Sequence, residues 1–198
     1  MMNRFAHILT CCVMVVVFAG CASSTPSRFY TLSSTLAPAV TPQADYSISV
    51  GPVNVPAVVD RPQIVVRTGP NQVSIEEFDR WASPLKEDIG RVVAKNLVSL
   101  LGTTQISLFP QSTAAGASYR VMIDVLRFDS ELGQAAILDA LWTVSSAKDG
   151  LSRRGRTTLS EAIQGGDYAA LVAAHSRAIG RLSAEIAEAI REIEAQKP

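Results

Sequence analysis

The sequence predicts an α+β fold, a largely antiparallel sheet covered on one face by two helices. Three observations predict it. Strand-like runs come in two blocks, and each block is followed by one long segment of helical period, giving the order strands, helix, strands, helix. Tyr119, Val121, Ile123 and Val125 alternate with Arg120, Met122 and Asp124, the pattern of a strand with one buried face. Hydrophobic residues make up 47% of the 198 residues, enough to bury one core without disulfides or metals.

Taken in order, Arg28 to Leu32 is a short apolar-aromatic run expected to form an edge strand. Residues 33–45 carry Pro38 and Pro42 among small residues and read as a loop. Ile48, Val50, Val53 and Val55 mark a strand region in which Gly51-Pro52 predicts a bulge or bend. Pro56 and Pro62 bound the next loop. Ile64 to Arg67 is a β-branched strand, Gly69-Pro70-Asn71 a turn, and Val73 and Ile75 begin a short return strand. The first helix is predicted to take Ser83 as N-cap and Pro84 as its first residue. Glu87 and Asp88 place negative charge at the positive end of its dipole. Leu85, Ile89, Val92, Val93, Leu97, Leu100 and Leu101 follow helical spacing, and Gly102 ends it.

Ile106 to Phe109 is the next strand. Leu138 to Ser145 is the expected antiparallel neighbour of the alternating strand, and Lys148-Asp149-Gly150 turns the chain into a return strand from Leu151 to Leu159. Gly165-Gly166-Asp167 opens the second helix, with Asp167 as N-cap. Its seam is Val172, His175, Ile179, Leu182, Ile186, Ala189 and Ile193, widened by Leu171, Ala178 and Ile190, while Arg177, Arg181, Glu188 and Arg191 take the other side. The seam could pair with another chain, but packing on its own sheet explains it equally well and is the expected arrangement. No solenoid-like repeat stands out.

Ahead of this domain, Arg4 is the only charged side chain before Arg28. Ile8 to Ala19 is an apolar run with small residues after it, the plan of a secretory signal. It is shorter than the roughly 20 apolar residues a spanning helix needs. Phe18-Ala19-Gly20-Cys21 resembles the lipobox of bacterial lipoproteins, where a peptidase cuts before a cysteine whose sulfur carries diacylglycerol. Small residues at 19 and 20 admit the backbone to the peptidase, and Phe18 departs from the usual Leu. The expected division is a signal peptide over 1–20, a lipidated tether over 21–27 and one domain over 28–198, with Cys21 the lipidation site. The rival readings are an ordinary secreted protein cut near Ala22 and an uncleaved anchor helix. Two or three acyl chains at about 0.8 kcal/mol per buried methylene hold a protein firmly where one chain does not. Ala22, in place of Asp, favours the outer membrane by analogy with enterobacterial sorting. Cys11, Cys12 and Cys21 are the only cysteines, so cleavage leaves no disulfide framework.

Catalytic chemistry is not visible in the sequence. The 18 basic and 18 acidic residues balance, which gives no nucleic-acid footprint. The mature chain has one histidine, so neither a Ser-His-Asp triad nor a multi-histidine metal site can be assembled. Phosphate-loop and nucleophile-elbow motifs are absent from the sequence, and no cofactor is implied. His175, on the apolar seam, is expected to be a core-rim histidine bonded to a backbone or hydroxyl group. Glu76 and Glu77 precede Trp81, but adjacent strand residues point to opposite faces, so a solvated edge is expected rather than an acid/base pair. Arg153-Arg154-Gly155-Arg156 is a basic run read as a solvated hairpin arm, with contact to phospholipid head groups as the alternative.

Several short motifs share an order. Phe29-Tyr30-Thr31-Leu32 stands soon after the cysteine. Ile48-Ser49-Val50-Gly51-Pro52-Val53 follows, then Arg61-Pro62-Gln63-Ile64-Val65-Val66-Arg67. Arg80-Trp81-Ala82 with Pro84-Leu85 leads to Leu100-Leu101-Gly102, and Leu171-Val172-Ala173-Ala174-His175-Ser176 comes late. The ordered set resembles the ABC-type transport auxiliary lipoproteins, the PqiC-like family, over nearly the whole mature chain. The resemblance implies a non-enzymatic lipoprotein facing the periplasm from the outer membrane. It implies partnership with an MCE-domain protein and its inner-membrane permease or ATPase in moving lipid between membranes, and a ring-like homo-oligomer. The alternatives are a periplasmic lipid-carrying module and an assembly lipoprotein of another envelope apparatus.

Overall fold

The computed structural model describes residues 25–37, 44–111, 114 and 116–196. The expected signal peptide, Cys21, and the loop prolines Pro38 and Pro42 lie outside the described residues. Within them the chain runs β1 (Arg28–Tyr30), β2 (Ile48–Asn54), β3 (Gln63–Gly69), β4 (Gln72–Trp81), α1 (Leu85–Leu101), β5 (Ile106–Leu108), β6 (Tyr119–Glu131), β7 (Ala135–Ser146), β8 (Ser152–Ala162) and α2 (Tyr168–Ala195). The fold is α+β, as expected.

The expected single sheet is divided in two. One sheet has the order β1-β4-β3 and the other β5-β2-β6-β7-β8. The reason lies in β2. Both of its edges are filled, by β5 on one side and β6 on the other, each parallel to it. The chain leaving β2 therefore has no edge to return to, and β3 and β4 form a hairpin of their own. The long strands β6, β7 and β8 are antiparallel throughout, and β1 joins the edge of β4 in parallel.

Alternation explains the core. Tyr119, Val121, Ile123 and Val125 turn inward from β6, as do Leu138, Ala140 and Val144 from β7. α1 lies over β2 and β5, and α2 over β6, β7 and β8. The whole expected seam of α2 is buried. The two helices meet at a buried polar contact, Asn96 Nδ2 donating to Ser183 Oγ at 3.0 Å. Trp81, at the end of β4, meets Phe128 of β6 edge-on at 6.1 Å and ties the small sheet to the large one.

The Gly51-Pro52 bend is present as a register shift between Val50 and Val53, with Gly51 at φ +114, a value that favours glycine. Asp167 caps α2 through a 2.8 Å bond from the Ala170 amide, and Gly102 closes α1 in the left-handed conformation. The start of α1 differs by one residue from the expected one. Pro84, not Ser83, occupies the cap, at ψ 128 with no side-chain bond, and its carbonyl accepts the amides of Glu87 and Asp88. The return strand β4 is also longer than expected, because a bulge near residues 77–79 lets it turn from β3 and take up β1.

Candidate functional site

Cys21 belongs to the undescribed N-terminal residues, but the chain that leads from it into the domain is visible from Thr25 onward. The side chains that fasten this entering segment form a connected polar constellation. They make up the candidate site.

The first fastening is at Asp79. β1 pairs with the last turnless stretch of β4, which sets Arg28 beside Asp79 and Tyr30 beside Trp81. Arg28 grips the Asp79 carboxylate with two bonds, from Nε and one terminal nitrogen, each 2.8 Å. The Tyr30 hydroxyl donates to the same carboxylate at 2.8 Å. Burial by itself raises the pKa of Asp79, but the bonds from Arg28 and Tyr30 outweigh it and hold the carboxyl below its usual range. Tyr168, at the head of α2, lies under the Arg28 guanidinium (5.9 Å to the ring centre) and 6.2 Å from the Tyr30 ring. Burial, and then the bond with Glu76, push the Tyr168 hydroxyl pKa up.

Asp88, in the first turn of α1, makes the second fastening. Its buried carboxylate accepts the Leu32 amide at 2.7 Å and the Thr31 hydroxyl at 3.1 Å. Arg91 binds Asp88 and also donates to Thr31 Oγ1 at 2.9 Å and the Leu32 carbonyl at 3.0 Å. Leu32 itself is sunk in the core. A third point follows at once: the Ser33 amide donates to Ser176 Oγ of α2 at 3.2 Å. Thr35 then passes so near Gly180 that a Cβ there would stand 2.8 Å from its hydroxyl oxygen.

Sequence reasoning placed Asp88 at the helix dipole and saw no role for Asp79, Thr31 or Arg91. An acidic residue inside the otherwise apolar face of a helix was the one signal available for Asp88. The entering segment meets Asp79 and Asp88 across 49 to 57 residues of sequence, and no local pattern reports those contacts.

The other singled-out residues do not converge on one place. His175 is fully buried rather than at the rim of the core. Its Nε2 lies 2.9 Å from Ser130 Oγ, its ring stacks on Phe128 at 3.9 Å, and Nδ1 has no partner. Burial pushes its pKa down to about 3, against a small opposing pull from Asp129. The hydroxyl partner expected for it is Ser130. Glu76 and Glu77 diverge, Glu76 toward Tyr168 and Glu77 to Arg80 at 3.4 Å in solvent. The basic run is split by strand alternation. Arg153 reaches Glu192 of α2, while Arg156, on the opposite face, binds Asp139 at 2.9 and 2.6 Å. Among the described residues no group of His, Cys, Asp and Glu could hold a metal ion. None of their helices is long and apolar enough to cross a membrane. A half-open apolar cleft of about 390 Å³ lies between the start of α1 and the β2 bulge, lined by Pro52, Val53, Gly90, Leu108, Phe109 and Pro110.

A family model described as "ABC-type transport auxiliary lipoprotein component" matches residues 30–187. A search of curated proteins finds no match. Among solved structures, a Xanthomonas campestris protein of the DUF330 family superposes with a TM-score of 0.69 at 20% identity, covering 86% of this chain and 100% of that one. A second, described as an uncharacterized protein, gives 0.66 at 20% identity, with 84% and 99% covered. At that identity the two structures are alike in fold.

Proposed function

We propose, from the premise that this chain belongs to the ABC-type transport auxiliary lipoproteins, that it is a non-enzymatic outer-membrane lipoprotein of an MCE-type lipid transport system. In this reading Cys21 carries the lipid, the domain faces the periplasm, and a ring-like homo-oligomer docks the periplasm-spanning MCE protein whose permease and ATPase sit in the inner membrane. The observation that carries it is the coincidence of two features. The family match begins at Tyr30, and a lipobox-like Phe18-Ala19-Gly20-Cys21 stands a few residues before it.

The physical arrangement supports the reading. A docking subunit needs a membrane attachment firmly joined to a rigid body, and the entering segment is bound in turn to the small sheet, α1 and α2. The test is affinity purification of the tagged, lipidated chain from membranes solubilised in mild detergent. The expected result is co-elution of an MCE-domain protein, with the auxiliary chain as an oligomer by native mass spectrometry. A chain recovered alone, from membranes in which the MCE protein stays bound to its permease, overturns the docking role.

A further inference from the structure

The small sheet has one side that its own fold leaves largely bare. Phe29 pairs with Arg80 and Arg80 with Gln63, so these three residues share a side. Arg28, Tyr30 and Asp79 take the other side, where they bind one another. β3 keeps its alternation beyond Gln63, which sets Val65 and Arg67, with their partners Ile75 and Val73, on the side of Phe29. Val65 is covered, but its neighbours are not. Phe29 is 64% exposed, Ile75 42% and Val73 40%, and Val58, which adjoins Val65 and Val73 in a shallow hollow, is 46% exposed. Phe78, within the bulged stretch of β4, is 44% exposed. Half of the large hydrophobic side chains that stand exposed among the described residues are therefore on this sheet or on the loop against it.

We infer that this face rests on the phospholipid surface to which Cys21 is anchored. The inference rests on the lipid-anchor reading above and extends it from a tether to a contact. Reach is the first argument. Arg28 stands seven residues after Cys21, and seven residues span at most about 25 Å at roughly 3.6 Å each. The β1 end of the small sheet is thus confined close to the bilayer whatever the rest of the domain does. Residue type is the second. Aromatic rings with aliphatic neighbours suit the boundary between head groups and acyl chains. Charge decides the kind of lipid. Arg28 is held by Asp79, Arg80 by Glu77 and Arg67 by Asp129. The three arginines of the sheet itself are already paired, so the contact is apolar insertion into a zwitterionic surface rather than attraction to anionic head groups. Because the anchor holds the patch near the bilayer at high effective concentration, a weak contact is enough to orient the domain.

The test uses the full lipidated chain in phosphatidylcholine vesicles. Lipid blocks the thiol of Cys21, so Phe29→Cys, Ile75→Cys and Leu141→Cys each offer one site for a nitroxide label. Leu141 is the control, an exposed apolar residue on the outer face of the large sheet. Labels at 29 and 75 are expected to collide with oxygen several-fold more readily, relative to a water-soluble nickel chelate, than the label at 141. Vesicle flotation is read on the same samples. Chains that float but show labels 29 and 75 as open to nickel as 141 overturn the contact and leave the anchor standing. Labels at 29 and 75 shielded from both reagents also overturn it, and give the face to a protein neighbour. Chains that fail to float overturn the anchor, and the contact with it.

Discussion

Gly155 lies opposite Trp142 on the helix-facing side of the large sheet, and the indole lies across it. A Cβ at Gly155 would stand 2.2 Å from the ring. Trp142 cannot move aside freely, because its indole nitrogen donates to Thr157 at 3.0 Å and Thr157 is bound in turn to Glu185. Gly155→Ala is expected to lower stability by about 1–3 kcal/mol, the range for overpacking a core. Gly166→Ala, which meets nothing within 4 Å, is expected to change it by less than about 0.5 kcal/mol. Urea midpoints of the two variants check the contrast. His175 makes a prediction in pH. Its folded pKa of about 3 lies below the unfolded value of 6.5, so the unfolded chain takes up the proton first. The stabilisation from keeping it neutral is full above pH 6.5 and is lost as pH falls toward 3, by up to about 1.4 kcal/mol per unit. Thermal unfolding of His175→Gln is expected to show a shallower loss between pH 6.5 and 4, and equal slopes would refute the assignment. The seam position of His175 was legible from its helical spacing. Gly155 was read only as part of a basic run, because the ring that lies over it comes from a neighbouring strand.

At the level of elements, helix caps and the fastenings of the entering segment set local stability. Asp167→Ala removes the bond to the Ala170 amide and is expected to cost about 1 kcal/mol, seen as a lower melting temperature with fraying at the head of α2. Asp88→Asn weakens its bonds to Arg91, Thr31 and Leu32 together. The Leu32 amide is expected to lose hydrogen-exchange protection before the amides of α1 do; protection lost equally in both would mean that Asp88 serves the helix alone. Much of this scale was legible beforehand. The bend at Gly51-Pro52, the alternation of β6, the cap at Asp167 and the stop at Gly102 all follow from local chemistry. What escaped was non-local. The bulges near residues 77–79 and at Leu126 answer to neighbouring strands, and the extra residue at Leu126 leaves two successive side chains, Leu126 and Arg127, turned outward.

For the molecule as a whole, element order was enough to give the α+β class and the placing of both helices on one layer. It was not enough to divide the strands into sheets, since that depended on β2 having both edges filled by partners from later in the chain. The anchor reading predicts that Cys21→Ala, exported behind an ordinary cleavable secretory signal in place of residues 1–20, leaves the melting temperature unchanged and moves the protein from the membrane pellet to the soluble periplasmic fraction. An altered melting temperature would show that residue 21 is part of the fold instead.

The three fastenings of the entering segment also have a mechanical consequence. Asp79, Asp88 and Ser176 take hold of the chain at Arg28, Thr31–Leu32 and Ser33, one after another along its path. A pull delivered from residue 27 meets them in series and is shared out among the small sheet, the first helix and the second. Load that enters the domain from its N-terminal side is therefore borne by three elements rather than by one strand alone.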